Sequence, residues 1–269
     1  MMEASLALLF GLLIGSFLNV CIYRWPLDLS VVKPRSHCIA CGKTIAWYDN
    51  IPLVSFALLR GRCRYCHVRI SVRYPVVELS TGLLFFYWVF TDGLTPLAAK
   101  MCIFTAMLVA LVFCDLEERI LPDEFTLGGT LVALVFAAFV RVGDPYAPAL
   151  LFFTGVNPPD HVRWVLESAI GAGLPAFFLW VAGWLYEKFR HREGLGLGDV
   201  KLVAMVGAFL GMGNALATLI VGSLSGSILG YAYIKLTRKD ASTYELPFGT
   251  FLGLAALLFA FIDRKMAGW

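Results

Sequence analysis

This 269-residue chain is 59% hydrophobic and has a mean hydropathy of +0.76. Soluble domains are about half apolar, so a water-soluble fold of this size could not bury most of these side chains. The composition therefore predicts a polytopic membrane protein. The net charge of +3 argues little about nucleic acid, and we expect no nucleic-acid partner.

Apolar stretches long enough to cross a hydrocarbon core of about 30 Å recur along the chain. They predict helices over residues 5–23, 76–94, 96–114, 125–140, 164–186, 200–213, 215–235 and 247–262. The expected fold is therefore all-α, with about eight transmembrane helices, a short sixth helix and a tight turn at 211–214. The predicted domains are a first transmembrane helix (1–23), a small cytoplasmic domain (24–75) and a membrane domain (76–269).

The orientation follows from the 22 Lys and Arg residues. Cytoplasmic loops carry an excess of these residues, and most of them become cytoplasmic when the N-terminus is placed outside. Residues 24–75 then lie in the cytoplasm. The same orientation places Asp115, after the apolar run 101–114, and Asp199, in Gly196-Leu197-Gly198-Asp199, together at the cytoplasmic face.

Glycines at four-residue spacing predict close helix packing. Gly222, Gly226 and Gly230 fall in register within one predicted helix. Small residues at this spacing let helix backbones approach each other in lipid. Glycine is also simply common in membrane helices, but three in register favour a packed face.

The cytoplasmic block contains two C-x-x-C pairs. Such pairs form short knuckles that each supply two thiolates, and a tetrahedral zinc ion needs two knuckles. Stable disulfides are disfavoured in the cytoplasm, and a zinc-ribbon module for nucleic acid is a weaker alternative. We therefore expect a structural zinc ion bound by Cys38, Cys41, Cys63 and Cys66.

The remaining cysteines and the nearby histidines have simpler interpretations. His37 and His67 flank the four thiols and are expected to be bystanders. Cys21, Cys102 and Cys114 lie in apolar runs, as is typical of small buried hydrophobic residues.

Each aspartate alone has an ordinary structural explanation: Asp199 as a helix N-cap, and Asp115 as an interfacial anchor. Together on one face they favour acid–base hydrolysis. Two neighbouring carboxyl groups cannot both ionise cheaply, so one keeps a proton and the other activates water against a peptide carbonyl. The backbone at Gly196 and Gly198 is a plausible docking edge for an extended peptide.

Several longer motifs occur in a recognisable order, and with them the chain resembles the type 4 prepilin peptidases, membrane aspartyl peptidases of the G-x-G-D kind. These motifs are Gly15-Ser16-Phe17-Leu18-Asn19-Val20, Arg24-Trp25-Pro26, Trp47-Tyr48-Asp49-Asn50-Ile51-Pro52, Leu59-Arg60-Gly61-Arg62-Cys63, Ile70-Ser71-Val72-Arg73-Tyr74-Pro75 with Glu78, Asp115 with Leu121-Pro122-Asp123, Gly196-Leu197-Gly198-Asp199-Val200-Lys201-Leu202, and Pro247-Phe248-Gly249.

The resemblance implies an enzyme of the bacterial inner membrane. It would cut basic leaders from prepilins or pseudopilins of pilus or type II secretion systems, after a glycine, at the cytoplasmic face. It would then methylate the new N-terminal amine, usually of phenylalanine, with S-adenosylmethionine. Asp115 and Asp199 would be catalytic, and the cysteine block would bind zinc. Gly196, Gly198, Pro247 and Gly249 are candidates for positioning the substrate.

The chain departs from the family pattern at two positions. Ile39 and Thr250 stand where proline is frequent, and we expect neither to touch the acid pair. The chain has no Gly-rich loop of the dinucleotide-binding kind, so spacing does not locate a methyl-donor site.

Two other functional classes fit the same composition. A proton-coupled transporter would place its acids near the bilayer centre, whereas these lie at one face. In a purely structural membrane anchor, the cysteine block would be the interaction module.

Overall fold

The computed structural model describes residues 1–144, 146–153, 155, 158–190, 195–237 and 246–266, with side chains described as far as residue 262. Throughout these residues the regular secondary structure is helical. The chain divides into two compact units, Met1–Ala110 and Leu111–Trp269.

Two long helices form the body of the first unit. They are α1 (Met2–Arg24) and α3 (Arg73–Asp92), with the short α2 (Val54–Leu58) and 3-10 turns at Trp25–Leu27 and Trp47–Asn50 between them. The two long helices pack side by side. A Cβ added at Gly15 would lie 2.7 Å from the Cα of Glu78, so the glycine is what permits this approach.

Buried polar side chains attach residues 24–75 to this helix pair. The Asn19 side-chain amide donates to the Tyr74 carbonyl at 3.1 Å. The Glu78 carboxylate accepts the backbone N–H of Leu53 at 2.9 Å. Buried polar groups require such partners, so the middle of this segment and its C-terminal end are fixed by hydrogen bonds to α3 and α1.

Among the described residues of the second unit there are seven helices, counting the end of α4 (Pro96–Glu118). The others are α5 (Asp123–Ala137), α6 (Tyr146–Phe153), α7 (Asp160–Arg190), α8 (Leu197–Leu210), α9 (Met212–Thr237) and α10 (Phe248–Met266). The short α8 is central and packs against α5, α7, α9 and α10. Its apolar residues are buried on nearly every side, which explains why its sequence lacks a polar face.

Glycines make the central contacts possible. A Cβ on Gly207 of α8 would clash with the carbonyl of Gly171 on α7. The three glycines of α9 at 222, 226 and 230 are buried and face Leu252, Phe251 and Leu246. The prediction of a packed glycine face is therefore confirmed.

A buried aspartate organises the turn between α8 and α9. Gly211 has a φ of +87° and ends α8, and α9 begins at the next residue. The Asp144 carboxylate accepts the backbone N–H groups of Met212 at 3.0 Å and Ala147 at 3.3 Å. It thereby satisfies amides at the starts of α9 and α6 that have no partner within their own helix.

Four helices of the described chain are long and apolar enough to cross a membrane. They are Met2–Leu27, Pro96–Glu118, Asp160–Arg190 and Met212–Thr237, with a shorter apolar helix at Phe248–Ile262. The all-helical membrane fold is confirmed, and each of the eight apolar stretches contains a helix. The count of eight spans stays a prediction, because α5 and α8 have only 15 and 14 residues, about 22 and 21 Å.

Replacing Gly207 by alanine tests the α7–α8 contact. We expect Gly207→Ala to destabilise the protein by about 1–3 kcal/mol, because the added methyl group must push two backbones apart. The matched control is Gly173→Ala on α7, where an added Cβ meets nothing within 4 Å. The measurement is thermal unfolding in lipid nanodiscs. Equal midpoints for the two variants would contradict this packing.

Candidate active site and metal centre

Asp115 lies in the last turn of α4, which extends past the predicted end at residue 114. Its side chain is buried, with 5% exposure. Its Oδ2 accepts two hydrogen bonds from Thr250 of α10, one from the backbone N–H at 2.6 Å and one from the hydroxyl at 2.7 Å. Thus the first carboxylate of the predicted pair is bound to the start of α10.

The expectation that Thr250 does not touch the acid pair is wrong. Thr250 is the third residue of α10, where a backbone N–H has no partner within the helix. The Asp115 carboxylate supplies that partner. Proline fits the first turn of a helix, but a proline at this position would supply Asp115 with neither the N–H nor the hydroxyl.

Asp199 lies in the first turn of α8 and is not the N-cap. The helix begins at Leu197, and the N-cap position is Gly196, so the N-cap interpretation of Asp199 is wrong. A Cβ on Gly196 would lie 3.4 Å from Oδ2 of Asp199. A negative side chain in the first turn is favoured by the helix dipole.

The Leu121 side chain lies beside residues that adjoin both aspartates. A Cβ added at Gly198 would lie 3.2 Å from the Cβ of Leu121. A Cβ added at Gly249 would lie 2.9 Å from the Cδ1 of Leu121 and 3.1 Å from the Cγ of Asp115. The Asp115 charge also acts electrostatically on Asp199. The structure therefore brings the two predicted acids into one site, at the ends of α4, α8 and α10.

The glycines beside the acids have different surroundings. Leu121 occupies the space beside Gly198 and Gly249, so their missing Cβ atoms serve packing. Among the described residues, a Cβ added at Gly196 would meet only the Asp199 carboxylate. Pro247 is buried immediately before α10. A role for these four residues in positioning a substrate stays a prediction.

Other acids near the pair face outward. Residues 117, 118, 123 and 124 are exposed, as expected for solvent-facing positions. Asp123 accepts an ion pair from Lys201 at 2.7 Å, which links α5 to α8. Such an exposed pair contributes at most about 1 kcal/mol.

The four cysteines of the first unit come together. Their Sγ atoms all lie within 4.8 Å of one another, and those of Cys38 and Cys66 are 3.7 Å apart. Tetrahedral zinc with Zn–S bonds of about 2.3 Å has its sulfurs about 3.8 Å apart. The thiol set therefore fits a four-coordinate metal ion.

The two C-x-x-C pairs form matching turns. In each turn, the backbone N–H of the first cysteine donates to the carbonyl of the residue five positions later. The backbone N–H of the residue four positions later donates to the carbonyl of that cysteine. Those amides belong to Gly42 and His67, with φ of +69° and +56°. His67 therefore shapes a turn, and the ring of His37 lies 3.1 Å from the Arg35 carbonyl.

The second turn favours a thiolate at Cys63 and is held in place by a salt bridge. The backbone N–H groups of Cys66 and Tyr65 lower the pKa of Cys63 to about 6, and the thiolate is the form that binds metal. Arg64 donates to both carboxylate oxygens of Asp49 at 2.8 and 2.6 Å, which lowers the pKa of that carboxyl. The Trp47–Asn50 turn is thereby attached to the metal-binding residues.

Comparison with known proteins gives a consistent result. Residues 9–91 match the bacterial peptidase A24 N-terminal domain, and residues 102–231 match the type IV leader peptidase family. Two relatives, each named prepilin leader peptidase/N-methyltransferase, come from Aeromonas hydrophila (35% identical, covering 98% of this chain and 92% of the relative) and Pseudomonas putida (32%, 93% and 88%). One of the same name from Myxococcus xanthus is 42% identical over 87% of this chain, which spans 64% of that relative's length. No solved structure matches significantly.

A double-mutant cycle tests the contact between Leu121 and Gly249. Gly249→Ala should cost about 1–3 kcal/mol of unfolding free energy, because the new Cβ overlaps Leu121 and crowds Asp115. Leu121→Ala removes part of that overlap, so the double variant should lose less than the sum of the single losses. Unfolding midpoints of the four proteins measure this coupling, and strict additivity would contradict the contact.

Proposed function

We propose, since this chain belongs to the type IV leader peptidase family, that Asp115 and Asp199 are its catalytic pair. Membership makes the chain a membrane-bound protease that also has methyltransferase activity. The observation that carries the proposal is the position of Leu121, which lies against Gly198, the neighbour of Asp199 in α8, and against Gly249, which adjoins the Asp115 carboxylate.

The substrates are prepilins or pseudopilins, cut after the glycine that ends a basic leader. One carboxylate takes a proton from water, which attacks the peptide carbonyl, and the other acts as the acid. The excess of Lys and Arg in the segments assigned to the cytoplasm supports a cytoplasmic active site in the bacterial inner membrane, with the N-terminus outside. Gly196 is the remaining candidate for a backbone docking edge, because among the described residues a Cβ added there would meet only the Asp199 carboxylate.

The second activity places a methyl group on the new N-terminal amine, with S-adenosylmethionine as the donor. The ion held by Cys38, Cys41, Cys63 and Cys66 is zinc, and its role is structural. Four thiolates leave no open position on a tetrahedral ion, so its contribution is to fold residues 24–75 into a small domain. The matching turns and the spacing of the sulfurs support this role.

The asparagine variants of the two acids test the peptidase mechanism. Asp115→Asn and Asp199→Asn should each slow leader removal by at least about 100-fold, because general acid–base catalysis contributes that much. Membranes containing each variant are incubated with a prepilin, and the trimmed product is followed by gel shift. Glu124→Gln, at an exposed position in the first turn of α5, should cleave normally. If either asparagine variant trims the leader at the wild-type rate, the proposed mechanism is wrong.

Serine substitutions test the metal centre. Cys38→Ser combined with Cys63→Ser takes one thiolate from each turn and should remove about one equivalent of zinc per chain, since two thiolates do not complete the tetrahedral site. Elemental analysis of the purified protein measures the loss. Cys21→Ala with Cys102→Ala removes two buried cysteines away from the cluster and should keep the zinc. Mass spectrometry of the processed pilin then reports methylation, and normal methylation by the zinc-free variant would count against a zinc-dependent role.

A further inference from the structure

Both polar groups of Thr250 are directed at one oxygen of Asp115. The backbone N–H and the hydroxyl reach Oδ2 at 2.6 and 2.7 Å. Both residues are buried, with 5% exposure each. Hydrogen bonds in such surroundings are electrostatically stronger than in water. This contact therefore affects the protonation state of the carboxyl group as well as its position.

The hydroxyl has two acceptors within reach but only one proton to donate. The carbonyl oxygen of Val112 lies 3.3 Å from Oγ1, whereas Oδ2 of Asp115 lies at 2.7 Å. A carboxylate is the stronger acceptor and here it is also the closer one. The hydroxyl therefore donates to Asp115, and Oδ2 accepts two hydrogen bonds.

We propose that Thr250 is a positioning residue that holds Asp115 as the unprotonated member of the pair, so that the shared proton resides on Asp199. Donors aimed at a carboxyl oxygen favour its charged form, and Asp199 has no comparable pair of donors among the described hydrogen bonds. This assignment rests on the proposed peptidase function of the two aspartates.

The assignment gives each acid a defined role. Water loses a proton to Asp115 as its oxygen bonds to the carbonyl carbon, while Asp199 gives its proton to the carbonyl oxygen. When the C–N bond breaks, Asp115 returns its proton to the amine nitrogen, and a hydroxyl proton of the intermediate passes to Asp199. Both acids thus end the cycle as they began it.

Few other charges surround the pair. Arg119, one turn beyond Asp115 on α4, donates to the Asp115 backbone carbonyl at 2.8 Å and acts electrostatically on its carboxyl group. Asp123 of α5 and Lys201 of α8 pair with each other. Positions 248–262 of α10 contain no ionisable side chain. Within this part of α10, the polar groups that reach the Asp115 carboxyl group belong to Thr250.

The test compares Thr250→Val, which keeps the shape and loses the hydroxyl, with Thr250→Ser, which keeps the hydroxyl. The substrate is a prepilin peptide containing the leader and the glycine–phenylalanine junction. Thr250→Val should lower kcat about tenfold with little change in KM, and should move the acidic limb of the pH–rate profile to higher pH by about one unit, the effect of losing one hydrogen bond to a charged group. The shift is upward because a less stabilised carboxylate ionises only at higher pH. Thr250→Ser should restore both values.

Controls separate this effect from loss of folding. Thr126→Val removes a buried hydroxyl that donates to the Pro122 carbonyl and should leave the pH profile unchanged. If Thr250→Val does not fold, Thr250→Ala against Thr250→Ser gives the same comparison. The assignment is overturned if the pH–rate profile of the valine or alanine variant is unshifted. It is also overturned if Thr250→Ser lowers kcat as much as Thr250→Val does at every pH. Because Asp115→Asn tests the peptidase itself, an inactive Asp115→Asn beside a normal Thr250→Val rejects only the role of Thr250.

Discussion

A carboxylate removed from water needs hydrogen-bond donors, because leaving it without them costs several kcal/mol. Asp115 obtains its donors from the first turn of α10. That requirement brings the start of α10 against the end of α4, and the missing side chain of Gly249 permits the approach. Leu121 fills the space between this junction and the start of α8. The position of Asp199 therefore depends on the same contact that satisfies Asp115.

The first unit solves a different problem, since a segment of about fifty residues with few long apolar runs cannot build a large core. Its order comes from point attachments. The thiol cluster closes one end, the Arg64–Asp49 pair joins that cluster to the neighbouring turn, and Glu78 holds Leu53 against α3. Asp49 and Glu78, which take part in these attachments, belong to the sequence motifs. The motifs are separated along the chain, but their polar residues make contacts with distant parts of it in the fold.

Much of this arrangement could be predicted from the sequence. Long apolar runs predicted the helices, and the cysteine spacing predicted a thiol cluster that the structure forms. The placement of both acids at the cytoplasmic face from the Lys and Arg residues stays a prediction. Helix ends were less accurate: Asp115 lies inside α4, and α8 begins three residues before its apolar run. The apolar pattern stops at the first polar residue, whereas the helix can extend beyond it.

The contacts that sequence reasoning missed are long-range. Asp115 and Thr250 are 135 positions apart, and Asp144 caps a helix that begins at residue 212. Neither pair has a local signature. Thr250 was noticed only as a departure from a family pattern, and its meaning depends on which carboxylate faces it. Asp144 had no signal beyond being a charged residue between apolar runs, which typically indicates an ordinary loop.

The close contact between the glycines of α7 and α8 restricts the movement of α8 within the second unit. Gly207 and Gly171 leave no room for α8 to slide along its axis, and the turn at its far end is held by Asp144. The helix that carries Asp199 is thus a fixed reference within its unit.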